Sequence, residues 1–429
     1  MKHKKLFITL TAILTVFVFL GIFILIWFVG DSYKDFKKFN KEFAIEGLDE
    51  GAIPQGITSY YAAYSTIDEN GSTVSRAQQY FLVSAYMNDG SPSRIYVTGQ
   101  VTGYIGFVTL KNMDGTPHYG HVGGIATNGA RVWIADGDSV AVARSTVGTD
   151  NILKEIIDKA ARNKDRDSDD ELDSIQFTAS FKANCNVAFL YYSDDSRYTG
   201  TTYDRLYVGE FYRKGNYETD QSHRIKTPSG YKNTALMYEY NIDGSNSENP
   251  YGLTRLTDNY LTEENKVPKI QYIYSIPEKI QGVAFSNRTG YSTNDGILVL
   301  SQSYGLSNSH LLCFDWKTVK ETQNSVTYKQ ATGYDFVYDG VYRTYGSTKR
   351  EYIDPSIKVY YVDKGNRNMF VNDYSIPSMS EGMCVVTPYG QNQGAIGRVY
   401  VLFESGSKKY GMFTRERIKN VYSFIPHAK

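Results

Sequence analysis

The stretch Tyr-Ser-Ile-Pro is written twice in this chain, at 274–277 and 374–377, and each copy is followed by four variable residues and a glycine, Gly282 and Gly382. A glycine before an apolar residue also occurs at Gly56-Ile57 and Gly124-Ile125, with Asn186-Val187 as a degenerate member. Downstream of each lies a β-type core that stacks column on column: FLVSAY (81–86), VWIADG (132–137), LYVGEF (206–211), ILVLSQS (297–303) and VYVLFES (399–405). Val83, Ile134, Val208, Val299 and Val401 share one column, preceded by Leu82, Trp133, Tyr207, Leu298 and Tyr400. Repetition of this kind means units that cannot bury an apolar face alone and must stack on their neighbours.

A third strand follows in each unit: SRIYVT (93–98), SVAVAR (139–144), TALMYEY (234–240), SHLLCFD (309–315) and KKYGMF (408–413). The Tyr-Ser-Ile-Pro copies, together with KNVYSFIP near the end, read as fourth strands that leave one unit for the next. The spacing therefore predicts an all-β fold, a β-propeller of five or six four-stranded blades over 51–429, since radial repetition protects sheet edges. Two insertions interrupt it. Residues 151–173 carry Ile152, Leu153, Ile156, Ile157 and Ala160 at helical spacing, and 317–367 hold strand-like runs that would decorate the fourth blade or form a sixth.

The N-terminus is of another kind. Lys2, Lys4 and Lys5 precede an uncharged apolar run from Leu6 to Val29. At about 1.5 Å per residue it reaches roughly 36 Å, enough for a hydrocarbon core of about 30 Å. Residues 1–30 thus read as a basic cytoplasmic end and an uncleaved signal-anchor, 31–50 as a charged juxtamembrane stalk, and the rest as extracellular on a single-pass protein of the cell membrane. A cleaved signal peptide fits less well, because Trp27-Phe28-Val29-Gly30 offers no small-x-small site. With 46 basic and 46 acidic residues the net charge is zero, which argues against nucleic acid as a partner. Cys185, Cys313 and Cys384 lie in apolar runs and read as core residues rather than a disulfide framework.

Propellers bind ligands at a mouth of the central channel. The residues before the repeat glycine are Gln55, Gly123, Cys185, Gln281 and Glu381, with His121 and Asn184 nearby. Gln55, His121, Asn184, Gln281 and Glu381 are therefore the candidate ligand-binding residues. Asp136, Glu210 and Glu404 end second strands and either contribute to one face or cap it. DRDSDDELD (165–173) begins like a calcium loop, but Asp170 stands where glycine is needed and Gln176 where the bidentate glutamate belongs, so it reads as a solvated acidic loop. His118 and His121 precede a strand, which denies them helical ligand geometry. No Gly-x-Ser-x-Gly elbow, phosphate loop, zinc-finger or zincin motif is present.

Glu381-Gly382, the GRVYVLFES that follows, and YEYNIDG (238–244) resemble elements of the gluconolactonase and regucalcin-like propellers and their strictosidine synthase-like relatives. The resemblance implies a divalent cation such as Ca2+ in the channel with Glu381 as metal ligand, and hence a lactone or ester hydrolase. This chain departs from that pattern, since Gln55, Gly123, Cys185 and Gln281 stand where further acidic ligands would. The residues themselves favour a binding propeller that takes a small molecule, glycan or protein at its channel face, with the hydrolase as the alternative.

Overall fold

The computed structural model describes residues 33 and 35–427 except 68–72, 146–150, 165–170, 195–203, 245–247, 263–265, 288–295, 388–395, 412–413 and 415, together with 15, 16 and 18. The expected anchor at 6–29 and most of the acidic loop at 165–173 lie outside the described residues. Among the described residues no helix is long and apolar enough to cross a membrane.

Five antiparallel sheets form the blades of a propeller. Blade one is Ala52–Ile67, Thr73–Met87, Arg94–Gly99 and Gly103–Lys111. Blade two is Ile125–Thr127, Arg131–Asp136, Ser139–Arg144 and Ala179–Lys182. Blade three is Val187–Ser193, Arg205–Glu210, Ala235–Asn241 and Ile270–Ile276. Blade four is Ile280–Ser286, Ile297–Gln302, Ser309–Asp315 and Phe370–Ile376. The first strands touch in cyclic order around the axis, one to two, two to three, three to four, four to five and five back to one. The second-strand columns read from the sequence are buried throughout, from Val83 at 5% exposure to Val299 and Val401 at 0%.

The repeat glycines are where neighbouring first strands come closest. A Cβ on Gly56 would lie 2.7 Å from the Ile125 nitrogen, on Gly124 2.4 Å from the Leu190 nitrogen, on Gly282 2.8 Å from the Glu381 carbonyl oxygen, and on Gly382 2.9 Å from the Gly56 Cα. These are backbone-to-backbone approaches, so the glycines form a collar that narrows the axis and only a residue without Cβ fits. Each turn into the collar in blades two to five also holds a non-glycine residue at positive φ: Val122, Asn184, Lys279 and Met379.

Blade five departs from expectation. Its strands are Ser380–Val386, Arg398–Phe403 and Asn420–Phe424, and the outermost is Asn40–Ala44, from the segment expected to be a stalk. KNVYSF is thus a third strand, and of KKYGMF the described part is not a strand: Lys408–Tyr410 is a turn of 3-10 helix. The N-terminal strand pairs Asn40 with Ser423 and Ala44 with Asn420, closing the ring with strands from both ends of the chain.

Neither insertion makes a sixth blade. Helix α1, Ile152–Asn163, buries Ile152, Leu153, Ile156, Ile157 and Ala160 beside the outer edge of blade one. Gly106 is required there, because a Cβ would lie 1.8 Å from the Ala160 carbonyl oxygen. The second insertion leaves blade four but adds to blade three: Lys358–Tyr361 pairs in parallel with Ile270–Ile276, and Ser325–Thr327 pairs beyond it. Helices α2, Trp316–Lys320, and α3, Tyr328–Thr332, and the hairpin Val337–Tyr345/Thr348–Ile353 complete it.

Candidate functional site

The channel has two mouths of different chemistry. At the mouth where first strands begin, the structure joins three of the sequence-derived candidates, Gln55, His121 and Glu381. The Gln55 amide donates to the Glu404 carboxylate at 3.1 Å. Tyr410 lies beside Glu404 and Tyr86, close enough for both to act on its hydroxyl. The Lys409 ammonium donates to the Tyr86 hydroxyl at 3.2 Å, and the Tyr86 ring stacks on His121 with centroids 4.7 Å apart. Burial and the Lys409 charge hold the His121 imidazole below the usual value.

Glu381, 3% exposed, lies in the same region. Burial, and then the neighbouring Glu404 charge, push its carboxyl well above the usual range. Burial also pushes Glu404 up to about 7, against the opposing pull of Gln55, Tyr410 and Lys409. These groups do not fit a divalent cation. The amide nitrogen of Gln55 faces Glu404, an ammonium stands close by, and among the described residues no group of three His, Cys, Asp or Glu side chains could hold a metal.

The other candidates go elsewhere. Asn184 is taken up by the second insertion, donating to the Val337 carbonyl at 2.6 Å and accepting from the Asp339 amide at 3.2 Å. Gln281 opens the first strand of blade four and is half-buried. Asp136 lies 3.7 Å from His118, and Glu210 accepts from the His223 ring at 2.9 Å and the Leu236 amide at 2.8 Å. The second-strand acids thus meet separate partners and do not converge. Cys313 and Cys384 are buried, and burial pushes the Cys384 thiol up to about 12, which suits inert core residues.

At the opposite mouth, beyond the collar, the ends of the first strands enclose a cavity of about 290 Å³. Four blades line it: Tyr60, Tyr61, Gln79 and Gln100 from blade one, Tyr191 to Asp194 from three, Phe285 and Asn287 from four, and Thr387, Arg398 and Tyr400 from five. Tyr191, Phe285 and Tyr400 are buried and also belong to the core. The Tyr192 hydroxyl donates to Asp204 at 2.7 Å, and the Arg398 guanidinium to the Ser423 hydroxyl at 3.2 Å. Sequence reasoning did not find this site. Its signal was the tyrosine pairs Tyr60-Tyr61 and Tyr191-Tyr192 near the far ends of the strands whose beginnings carried the repeat motif.

No family model matches the chain, and no curated protein matches it. Among solved structures, one described as "Structure of Dos1 propeller" is similar over 90% of this chain and 95% of that one, at 8% identity and a TM-score of 0.28. So distant a likeness carries no functional argument, and the propeller assignment rests on the five sheets of this chain.

Proposed function

We propose that this protein is a membrane-anchored, extracellular β-propeller that binds a small polar ligand at its channel mouth. The observation that carries the reading is the cavity beyond the collar, about 290 Å³, near the low end of the roughly 300–1,000 Å³ usual for ligand sites. Its walls combine aromatic rings with amides and hydroxyls from separate blades, a composition that orients a ligand rather than reacting with it. The hydrolase alternative has less support, because the two carboxyls at the other mouth lack a third acidic or histidine partner among the described residues. The anchor is supported by the uncharged run at 6–29 and the lysines before it.

Two measurements test this. Protease added to intact cells should digest the chain beyond Asp31, and protection of the C-terminus overturns the topology. Thermal-shift screening of residues 33–429 against a library of polar metabolites should find a stabilising ligand whose effect is lost in Thr387→Trp, which fills the cavity. A library without any such ligand overturns the binding reading.

A further inference from the structure

We infer that the ligand is a neutral carbohydrate of one or two rings, seated on blade one's wall of the cavity; this rests on the binding reading above. The decisive residue is Gln79. It is 8% exposed and lines the cavity, yet its side-chain amide has no hydrogen-bond partner among the described residues. Its amide opens onto the cavity, and a ligand that both donates to it and accepts from it takes the place of water there.

The surroundings define what that something is. Tyr61 pairs directly with Gln79 across the hairpin, and the Gln100 backbone N–H donates to the Gln79 backbone carbonyl at 2.8 Å, so Tyr61, Gln79 and Gln100 form a row across the blade. An aromatic ring beside two primary amides offers a stacking face next to paired donors and acceptors. Vicinal hydroxyls on a ring match this, because each hydroxyl both donates and accepts and the ring's C–H face lies on the tyrosine.

The charges argue against ionic ligands. Among the described lining residues there is one cation, Arg398, which is bound to Ser423, and one anion, Asp194, which acts on Tyr192. A nucleotide needs several cations around its phosphates, and among the described lining residues there is no lysine. The unspent capacity of these described residues is neutral.

The test is calorimetry and saturation-transfer NMR on residues 33–429 with glucose, galactose, mannose, N-acetylglucosamine, maltose, cellobiose and N,N′-diacetylchitobiose, alongside free amino acids and nucleoside monophosphates. At least one sugar should bind, with affinity falling about tenfold in Gln79→Leu and in Gln100→Ala, the loss expected for one or two hydrogen bonds. Gln100 is exposed, so Gln100→Ala keeps the test decisive even if Gln79→Leu fails to fold. A sugar that binds with equal affinity to the Gln100 variant overturns the placement. An amino acid or nucleotide whose binding is abolished by Thr387→Trp, with no sugar bound, overturns the carbohydrate assignment while leaving the binding reading standing. No cavity-dependent binding of any compound overturns both.

Discussion

Glu381 and Glu404 face the problem of two acids in one poorly solvated place. Both carboxyls titrate above their ordinary 4.5, Glu404 at about 7, so in the folded state they hold protons that the unfolded chain releases. The sign follows from linkage: stability is unaffected below the unfolded value and falls as pH rises from 4.5 through about 7 for Glu404, and the raised Glu381 adds to the fall in the same sense. His223 adds to it in the same sense. Burial alone would lower its pKa, but the Glu210 charge and hydrogen bond carry it above the usual value, so its stabilisation is present in acid and lost as pH rises through that raised value. His118 and His121, held below the usual value by burial, act in the opposite sense up to 6.5, so the melting temperature of residues 33–429 should drop between pH 6.5 and pH 8. Glu381→Gln should flatten this drop and be at least as stable as wild type at pH 8, because no hydrogen bond to the carboxylate contributes to its titration. A variant less stable than wild type at pH 8 would mean that the carboxylate is anchored by donors. At this scale the sequence offered Gln55, Asn184, Gln281 and Glu381 as converging on the channel, with His121 nearby; the structure puts Gln55 and Glu381 with His121 at one mouth and Asn184 against the second insertion. The sequence could not show that Tyr410 and Lys409 join them, because KKYGMF has strand-like composition whereas Lys408–Tyr410 within it folds as a turn of 3-10 helix.

Among the elements, the first strands carry the fold's main steric constraint. Gly382→Ala would push a Cβ to 2.9 Å from the Gly56 Cα, where only backbone can yield, and should destabilise by about 1–3 kcal/mol. Gly244→Ala, at a glycine with open space around it, should change stability by less than about 0.5 kcal/mol. Equal effects in denaturant titrations of the two variants would remove the collar as the reason for the repeat. The collar was legible because close approach selects one residue type at one register position. The destination of the second insertion was not, since its attachment depends on contacts distant in sequence. Lys320 on α2 reaches the fully buried Glu239 at 3.4 Å and the Tyr274 hydroxyl at 2.6 Å, with its ammonium 4.2 Å from the Tyr272 ring centroid and 4.9 Å from that of Tyr360. Burial would raise the Glu239 pKa, but the Lys320 and Arg205 charges and the Tyr274 hydrogen bond together hold it below the usual range. Removing one partner of a buried ion pair costs about 3–5 kcal/mol, and Arg205 remains to offset part of that. Lys320→Met should thus loosen the insertion before it unfolds the propeller, read as faster limited proteolysis within 317–367 at unchanged exchange protection in blades one and two. Uniform loss of protection would show the insertion and ring to be one cooperative unit.

At the scale of the whole molecule, the proposed anchor and the closure of the ring are neighbours in the chain. The sequence reading of 31–50 as a stalk followed from its charge, yet an outermost strand buries little, and Asn40–Ala44 has no buried residue. What fixes this segment is its apolar minority: Tyr33 is 8% exposed, Phe39 stacks on Phe424 at 4.4 Å, and Phe36 lies 4.6 Å from Tyr422. Burying an aromatic side chain contributes about 1.5–3 kcal/mol, so this short segment binds its blade firmly. A chain begun at residue 46 should accordingly melt far below one begun at residue 33. On the proposed anchor, residues 30–32 alone separate the apolar run from Tyr33, and fully extended they reach about 10 Å. The propeller would then rest at the headgroup surface instead of standing off on a stalk. Energy transfer from a donor dye on the flank of blade five to acceptor-labelled headgroups, in vesicles carrying the full chain, should report this contact. Inserting a 20-residue Gly-Ser linker after Asp31 should lower the transfer, as a flexible chain of that length has a root-mean-square reach of roughly 25 Å. Transfer that is low in the native chain and unchanged by the linker would mean that the propeller is not tethered at Tyr33, and with it the anchor reading would fall.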